Sequence, residues 1–465
     1  MNQAHTFHPT ILREYDIRGQ IGKTLSEQDA YALGLAFGIF VAKKTGVDTP
    51  TINVGYDGRE TSPVLEAQLV KGLMETGAHV VRIGLGPSPM LYFSVKDRGA
   101  DAGIMITGSH NPPDYNGFKM MLLKEGVFGD LIQEIGNIAA NGDFRTEKGS
   151  EETIEIRDEF VARLLQDLTC ERELKVAWDN GNGAAGDVLQ RLTAKLPGQH
   201  ILLYEDIDGQ FPNHHPDPTV DENLQDLRKL VLDEGCDLGI AFDGDGDRIG
   251  VVDEKGNILR CDILMTIYAK DVLERHPGAA IIGDVKCSQV MFDKIDAMGG
   301  QGVIWKTGHS LVKAKMAELN APLAGELSGH IFFADRYYGY DDALYCAIRL
   351  LNALKDVDGG LSSLTADLPV LFNTPEVRFT VDEAEKFDLV PRIKESIEAQ
   401  NLDDAELSDI DGLRVKTSDG WWLVRPSNTQ DVLVSRVESN SEDGLERLKA
   451  QVVQEVEKIG YTISF

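Results

Sequence analysis

The stretch Leu238 to Val252, LGIAFDGDGDRIGVV, decides how this chain is read. An apolar run, Leu238 to Phe242, has the composition of a buried strand, and Ile249 to Val252 reads as its continuation or return. Between them stand Asp243, Asp245 and Asp247, separated by glycines and followed by Arg248. Carboxylates this close repel one another unless a cation sits among them. Alternate spacing in an extended loop turns all three towards one side. Hard oxygen donors at this density suit a divalent ion such as Mg2+ or Ca2+. An EF-hand loop would share the aspartates, and Glu254 falls where its last ligand belongs. But Arg248 stands where that loop needs glycine, and the flanks are strand-like rather than helical. A solvated acidic turn explains the charge and not the apolar strands that present it. A metal site at the tip of a buried strand is the better reading.

Outward from this loop, the bulk properties narrow the class. A chain of 465 residues is too long for one ordinary core, so three or four domains are expected. The formal charge of −30 argues against nucleic acid or an anionic membrane as partner, and an anionic substrate would need basic residues gathered in a cleft. Cys170, Cys236, Cys261, Cys287 and Cys346 are scattered, with no CxxC pair, as suits a reducing cytoplasm. The first residues are polar where a signal peptide needs an apolar core. The longest apolar run, Tyr31 to Ala42, is too short to span a bilayer. A soluble cytoplasmic protein is expected.

Along the chain, Arg13 to Gly19 reads as a polar loop, and residues 28–44 as an apolar-faced helix. Thr51 to Gly55 is a strand, closed by the Asp57-Gly58-Arg59 turn, and a helix of roughly 62–76 stops at Gly77. Pro87-Ser88-Pro89 reads as a rigid turn. The strand Ala102 to Ile106 runs into Thr107-Gly108-Ser109-His110-Asn111-Pro112-Pro113, a loop whose prolines forbid helix or strand. A serine on so stiff a loop, beside His110 and with Lys119 following, is a candidate nucleophile. An ordinary polar turn explains those residues equally well when they are taken alone.

Repetition shifts that balance. The plan of strand, Asp, loop and helix begins again with Leu174 to Asp179 and leads to Asp243. It begins a third time with Ala280 to Asp284 and Lys286, and leads through Thr307-Gly308-His309 to the loop Gly325 to His330. Alternating strands and helices imply three similar α/β domains with largely parallel sheets and polar loops at strand ends. Their expected extents are 1–153, 154–256 and 257–369. Residues 370–465 form a smaller α+β domain, with a hairpin turning at Asp419-Gly420 and a final amphipathic helix preceded by a capping box of Ser439 and Glu442. Pro391 is expected to kink or break an earlier helix there. Arg425-Pro426-Ser427-Asn428-Thr429 offers a fork of donors suited to a phosphate, though a polar hairpin loop explains it equally well in isolation.

Together, TGSHNP at 107–112, DGDGDR at 243–248, GELSGH at 325–330 and RPSNT at 425–429 resemble, in that order, the α-D-phosphohexomutases. The likeness covers essentially the whole chain and is nearest to the bacterial phosphomannomutase/phosphoglucomutase branch. Phosphoglucosamine mutases usually carry alanine where Gly108 stands. The resemblance implies three similar α/β domains and a smaller fourth around one cleft. It implies reversible transfer of phosphate between the 1- and 6-positions of mannose and glucose phosphates, through phosphoserine and a hexose 1,6-bisphosphate. Ser109 would carry the phosphoryl group, and Asp243, Asp245 and Asp247 with a phosphoserine oxygen would hold Mg2+. Arg18, His110, Lys119 and Arg248, with Tyr15, would lie near the transferring group. Glu326 and Ser328 would hold sugar hydroxyls, and Lys286, His309 and His330 would line the same side. Arg425, Ser427, Asn428 and Thr429 would bind the phosphate not being transferred. Lys119, His110 and His309 are all candidates for proton transfer. Glucose 1,6-bisphosphate or mannose 1,6-bisphosphate would act as activator, and small hexose phosphates are the expected partners. Leu327 replaces a commoner Met, and Gln430-Asp431 departs from the usual end of the last motif. A phosphoglucosamine mutase, a metal-dependent sugar phosphatase and a non-catalytic binding protein are the alternatives.

Overall fold

The computed structural model describes residues 4–123, 125–142, 144, 147–382, 384–400, 404–427 and 431–465. Its strands form four sheets that follow one another along the chain. In the first, Thr51–Tyr56 pairs in parallel with His79–Leu85 and Ala102–Ile106, and Ser150–Thr153 extends the far edge. Tyr115–Leu122 then returns antiparallel on Ala102–Ile106. The second sheet centres on Lys175–Asp179 and Leu238–Phe242, which are parallel, and Ile249–Asp253 comes back antiparallel on the latter. The third repeats that pattern with Ala280–Asp284, Leu323–Gly325 and the returning Ile331–Phe333. Each unit is therefore mixed: a parallel centre with one antiparallel return, and the return places a polar loop between two buried strands. The fourth sheet is antiparallel throughout, with Leu413–Thr417, Gly420–Pro426 and Val432–Ser439 at its centre. The expected class, three α/β units and an α+β unit, is the one observed.

Local readings are corrected in three places. Ile17–Gln20, expected as loop, is an edge strand antiparallel to Tyr115–Leu122. Its polar, glycine-containing sequence has no strand period, and pairing with a segment far along the chain overrides that. Pro87-Ser88-Pro89 is not a free turn but the start of helix Ser88–Arg98, because a proline's preset φ fits the first helical turn. The last helix, Glu442–Lys458, is capped by Ser441, which accepts from Gly444 N, and not by Ser439. Ser439 instead donates to the carbonyl of Asp419 across the hairpin, 2.5 Å. Helix Lys386–Ala399 runs through Pro391. No helix among the described residues is long and apolar enough to cross a membrane.

Candidate active site

The serine loop is built by its own strand. Ala102–Ile106 is buried along its length and delivers Thr107 to Asn111 at the strand end. Ser109 adopts φ +46°, a left-handed conformation that is sparsely populated by non-glycine residues and persists only when its surroundings enforce it. Here Thr107 Oγ1 accepts from Ser109 N at 2.8 Å. Arg59, almost fully buried, donates to the carbonyls of Ser109 and Asn111 at 2.7 and 2.6 Å and to those of Pro112 and Tyr115 at 2.5 and 3.0 Å. Asp57 holds the Gly108 amide at 2.9 Å. Arg18 donates to the Gly108 carbonyl at 2.9 Å and to Asn111, and is paired with Asp16 at 2.5 Å. The loop is tied down before any ligand enters.

The aspartate loop comes to meet it. Ser109 Oγ donates to Asp243 Oδ2 at 2.8 Å and lies 3.2 Å from His110 Nδ1. Asp243 Oδ1 accepts from the backbone amides of Asp247 and Arg248 at 3.0 and 3.1 Å, which folds the turn around its own first carboxylate. Asp245 accepts from Ser88 and Thr107 at 2.5 and 3.2 Å. Lys119, on strand Tyr115–Leu122, donates to Asp245 at 2.7 Å and to Asp247. The donor atoms of the three aspartates fall within 4.8 Å of one another, and all three residues are buried. Burial, then Asp247 and Asp245, push the Asp243 carboxyl well above its usual range. Asp245 is lowered, because Lys119 and its hydrogen-bond donors outweigh burial. Lys119 is in turn raised well above its ordinary value, its aspartate neighbours overcoming desolvation. Among the described residues, Asp245 Oδ1 and Asp247 Oδ1 are buried without a hydrogen-bond partner. Two orphaned carboxylate oxygens beside a third carboxylate, their donor atoms within 4.8 Å of one another, fit a hard divalent cation.

Burial, then Arg248 and Arg18, hold His110 well below its usual range, and burial with Lys313 does the same to His309. Arg248 Nε donates to His330 Nε2 at 3.0 Å, joining the second unit to the third. Glu326, raised by burial, accepts from Gly308 N at 2.5 Å, and Ser328 lies half-buried in the same loop. Lys286 stands 3.4 Å from Glu376 and 3.7 Å from Asp284. Tyr15 OH donates to the Thr307 carbonyl at 2.9 Å, and its ring is tilted against His309 with centroids 6.0 Å apart. The Arg425 fork closes on Asp411 at 3.0 and 3.2 Å, and Asp411 also accepts from Thr307 N at 3.0 Å. Ser427 N donates to the Val432 carbonyl at 3.0 Å. Asn428 and Thr429 lie outside the described residues. Behind Tyr15, Lys119 and His309 is a cavity of about 620 Å³.

Sequence reasoning passed over Asp57, Arg59, Ser88, Asp341 and Asp411. The one available signal was the charge of Asp57 and Arg59 in a turn directly after a buried strand. Ser88 acts on Asp245 and Asp411 on Thr307, each more than a hundred residues away, and Asp341 meets His330 only around a strand return.

Three α/β units and an antiparallel fourth, with a serine hydroxyl set on an aspartate triad, define an α-D-phosphohexomutase. Residues 9–146, 158–256 and 260–372 match the alpha/beta/alpha domains I, II and III of phosphoglucomutase/phosphomannomutase, and 376–455 its C-terminal domain. Over 440 residues the chain is 43% identical to the phosphomannomutase/phosphoglucomutase of Pseudomonas putida, covering 95% of this chain and 94% of that protein. A phosphoglucomutase of Neisseria meningitidis serogroup A is 40% identical over 444 residues, 95% of each chain. The crystal structure of a phosphoglucomutase/phosphomannomutase family protein from Burkholderia thailandensis has a TM-score of 0.92 at 42% identity, covering 99% of this chain and 100% of that one. The chain belongs to the phosphoglucomutase/phosphomannomutase family.

Proposed function

We propose that this protein is a hexose phosphate mutase that interconverts the 1- and 6-phosphates of mannose and glucose. The observation that carries the reading is the strained Ser109, its Oγ 2.8 Å from Asp243 and 3.2 Å from His110. In the proposed cycle the bond from phosphorus to Ser109 Oγ breaks as one forms to the 6-oxygen of a hexose 1-phosphate. The resulting 1,6-bisphosphate reorients in the cleft and returns its other phosphoryl group to Ser109. Such a transfer passes through a loose, charge-spread state, so positioning and electrostatics do most of the work.

Arg18, Lys119, Arg248, Lys286 and Arg425 gather cations in a chain of net charge −30, as an anionic substrate requires. Mg2+ held by Asp243, Asp245, Asp247 and a phosphoserine oxygen would supply further positive charge there. Lys119 lies against Asp245 and Asp247, and it, His110 and His309 are the groups at hand to move the hydroxyl protons. Glu326 and Ser328 orient the sugar, and Arg425, Ser427, Asn428 and Thr429 hold the phosphate that stays. The glycine at 108, where phosphoglucosamine mutases usually carry alanine, favours this reading over a phosphoglucosamine mutase.

The test is a coupled assay on mannose 1-phosphate, glucose 1-phosphate and glucosamine 1-phosphate, with mass analysis of the resting enzyme. Phosphate on Ser109, restored by added glucose 1,6-bisphosphate, and turnover of the two neutral sugars are expected. Ser109→Ala should lose the modification and nearly all the rate. Dominant turnover of the amino sugar, or release of inorganic phosphate in place of isomerisation, would refute the proposal.

A further inference from the structure

Asp341 belongs to none of the four motifs, yet it stands fully buried at the end of a polar chain that reaches the aspartate loop. Arg248 Nε donates to His330 Nε2 at 3.0 Å. A guanidinium only donates, so Nε2 carries a lone pair and the ring proton lies on Nδ1. Nδ1 lies 3.1 Å from Asp341 Oδ2 and 3.5 Å from Asp247 Oδ1, a close charge contact with Asp341 that falls short of hydrogen-bond alignment. Asp247 holds Lys119 through its other oxygen, and Asp341 is the nearer carboxylate to Nδ1. The other oxygen of Asp341 accepts from Lys313 Nζ at 3.1 Å, and His309 Nδ1 lies 3.9 Å from Oδ2. The backbone holds these groups rigidly. Arg248 bridges to His330, and Phe332 to Asp341, as antiparallel partners. Asp342 caps helix Ala343–Ala353 by accepting from Tyr345 N at 2.9 Å.

We propose that Asp341 is a positioning residue: it holds the proton of His330 on Nδ1 and aims the ring so that its Nε2 lone pair faces Arg248 and the transferring group. This rests on the mutase reading for its consequence, but its geometry stands by itself. A neutral imidazole can carry its proton on either nitrogen, and a buried carboxylate beside one nitrogen selects one tautomer. Asparagine cannot substitute. Lys313 and the imidazole N–H are two donors, and an amide offers a single oxygen, so its NH2 must confront one of them.

The experiment combines NMR of protein carrying 15N-labelled histidine with kinetics on glucose 1-phosphate. His330, assigned through His330→Gln, should show the Nδ1-protonated form in the wild type and lose it in Asp341→Asn. The same substitution should lower kcat about 10- to 100-fold with little change in KM. In a His330→Gln background it should cost almost nothing more, because the carboxylate acts through that ring. An Nε2-protonated His330 in the wild type, an unchanged kcat, or an equal loss in both backgrounds would overturn the proposal. Should Asp341→Asn not fold, Asp341→Glu is read in its place: it keeps the charge but moves the oxygen from Nδ1, and an unchanged His330 tautomer with unchanged kcat would overturn the proposal. A wild type that turns over no hexose phosphate would refute the mutase reading and leave the tautomer result standing.

Discussion

A Cβ added at Gly108 would stand 2.3 Å from Cζ and Nε of Arg59. Arg59 cannot easily yield, because its guanidinium holds four carbonyls of the serine loop and the Asp57 carboxylate at once. Glycine is needed here for space, not for its backbone freedom. Gly108→Ala should therefore displace Arg59 and let Ser109 relax from its left-handed conformation. The cost should fall on kcat, by up to about 100-fold for a displacement near 1 Å, with KM for glucose 1-phosphate nearly unchanged. Steady-state kinetics, with phosphoserine content measured alongside, would reveal it. A variant with full kcat would show that Arg59 is only a structural tie.

At the scale of elements, helices Glu27–Thr45 and Ser62–Glu75 of the first unit cross through two glycines. A Cβ at Gly34 would come 2.3 Å from the Leu69 carbonyl, and one at Gly72 would come 2.3 Å from that of Tyr31. Neither glycine has an unusual φ, so each is there to let backbones touch. Gly34→Ala should push the helices apart and destabilise the unit by about 1–3 kcal/mol, the usual range for overpacking. Urea unfolding would show a lower midpoint, while kcat per folded molecule at 25 °C should hold. Gly34 falls within the apolar run Tyr31 to Ala42, where nothing local explains it, because its partner lies on another helix.

At the scale of the molecule, one apolar cluster runs from helix Ser88–Arg98 through the second unit into the third, whereas the fourth unit has a core of its own. The fourth unit meets the third through a small apolar cluster of Val285, Trp421 and Leu423 and through polar contacts around it. Arg414 stacks on Trp421, 3.7 Å from its ring centre, and donates to the carbonyls of Val285 and Cys287. Glu376 meets Lys286 across the same seam. Lys286 lowers the Glu376 carboxyl from 4.5 to about 2, against the opposing effect of burial. A carboxylate depressed on folding adds stability above its unfolded value, and that contribution fades as pH falls from about 4.5 towards 2. Glu376→Gln should cost about 2 kcal/mol of docking at neutral pH, and the gap between the two proteins should shrink on acidification. Thermal midpoints of both proteins between pH 7 and pH 3 provide the check. A gap independent of pH would remove the electrostatic explanation.

The sequence by itself determined the elements whose causes are local. Apolar runs ending in glycine-spaced aspartates marked Leu238–Phe242 and its loop, and prolines after a buried run marked the serine loop. Recurrence of that plan implied the three α/β units, and turn chemistry placed the hairpin at Asp419-Gly420. The tertiary structure alone decided what depends on distant partners. Ile17–Gln20 became a strand because Tyr115–Leu122 offered it an edge, and Ser109 is held strained by an arginine fifty residues earlier. The Lys119 side chain reached the aspartates across two units, and Asp341 reached His330 around a strand return. A residue's own neighbours decide whether it is strand, turn or cap. Its charge state, strain and aim are decided by groups that only folding brings within a few ångströms, where low dielectric and close packing make them felt.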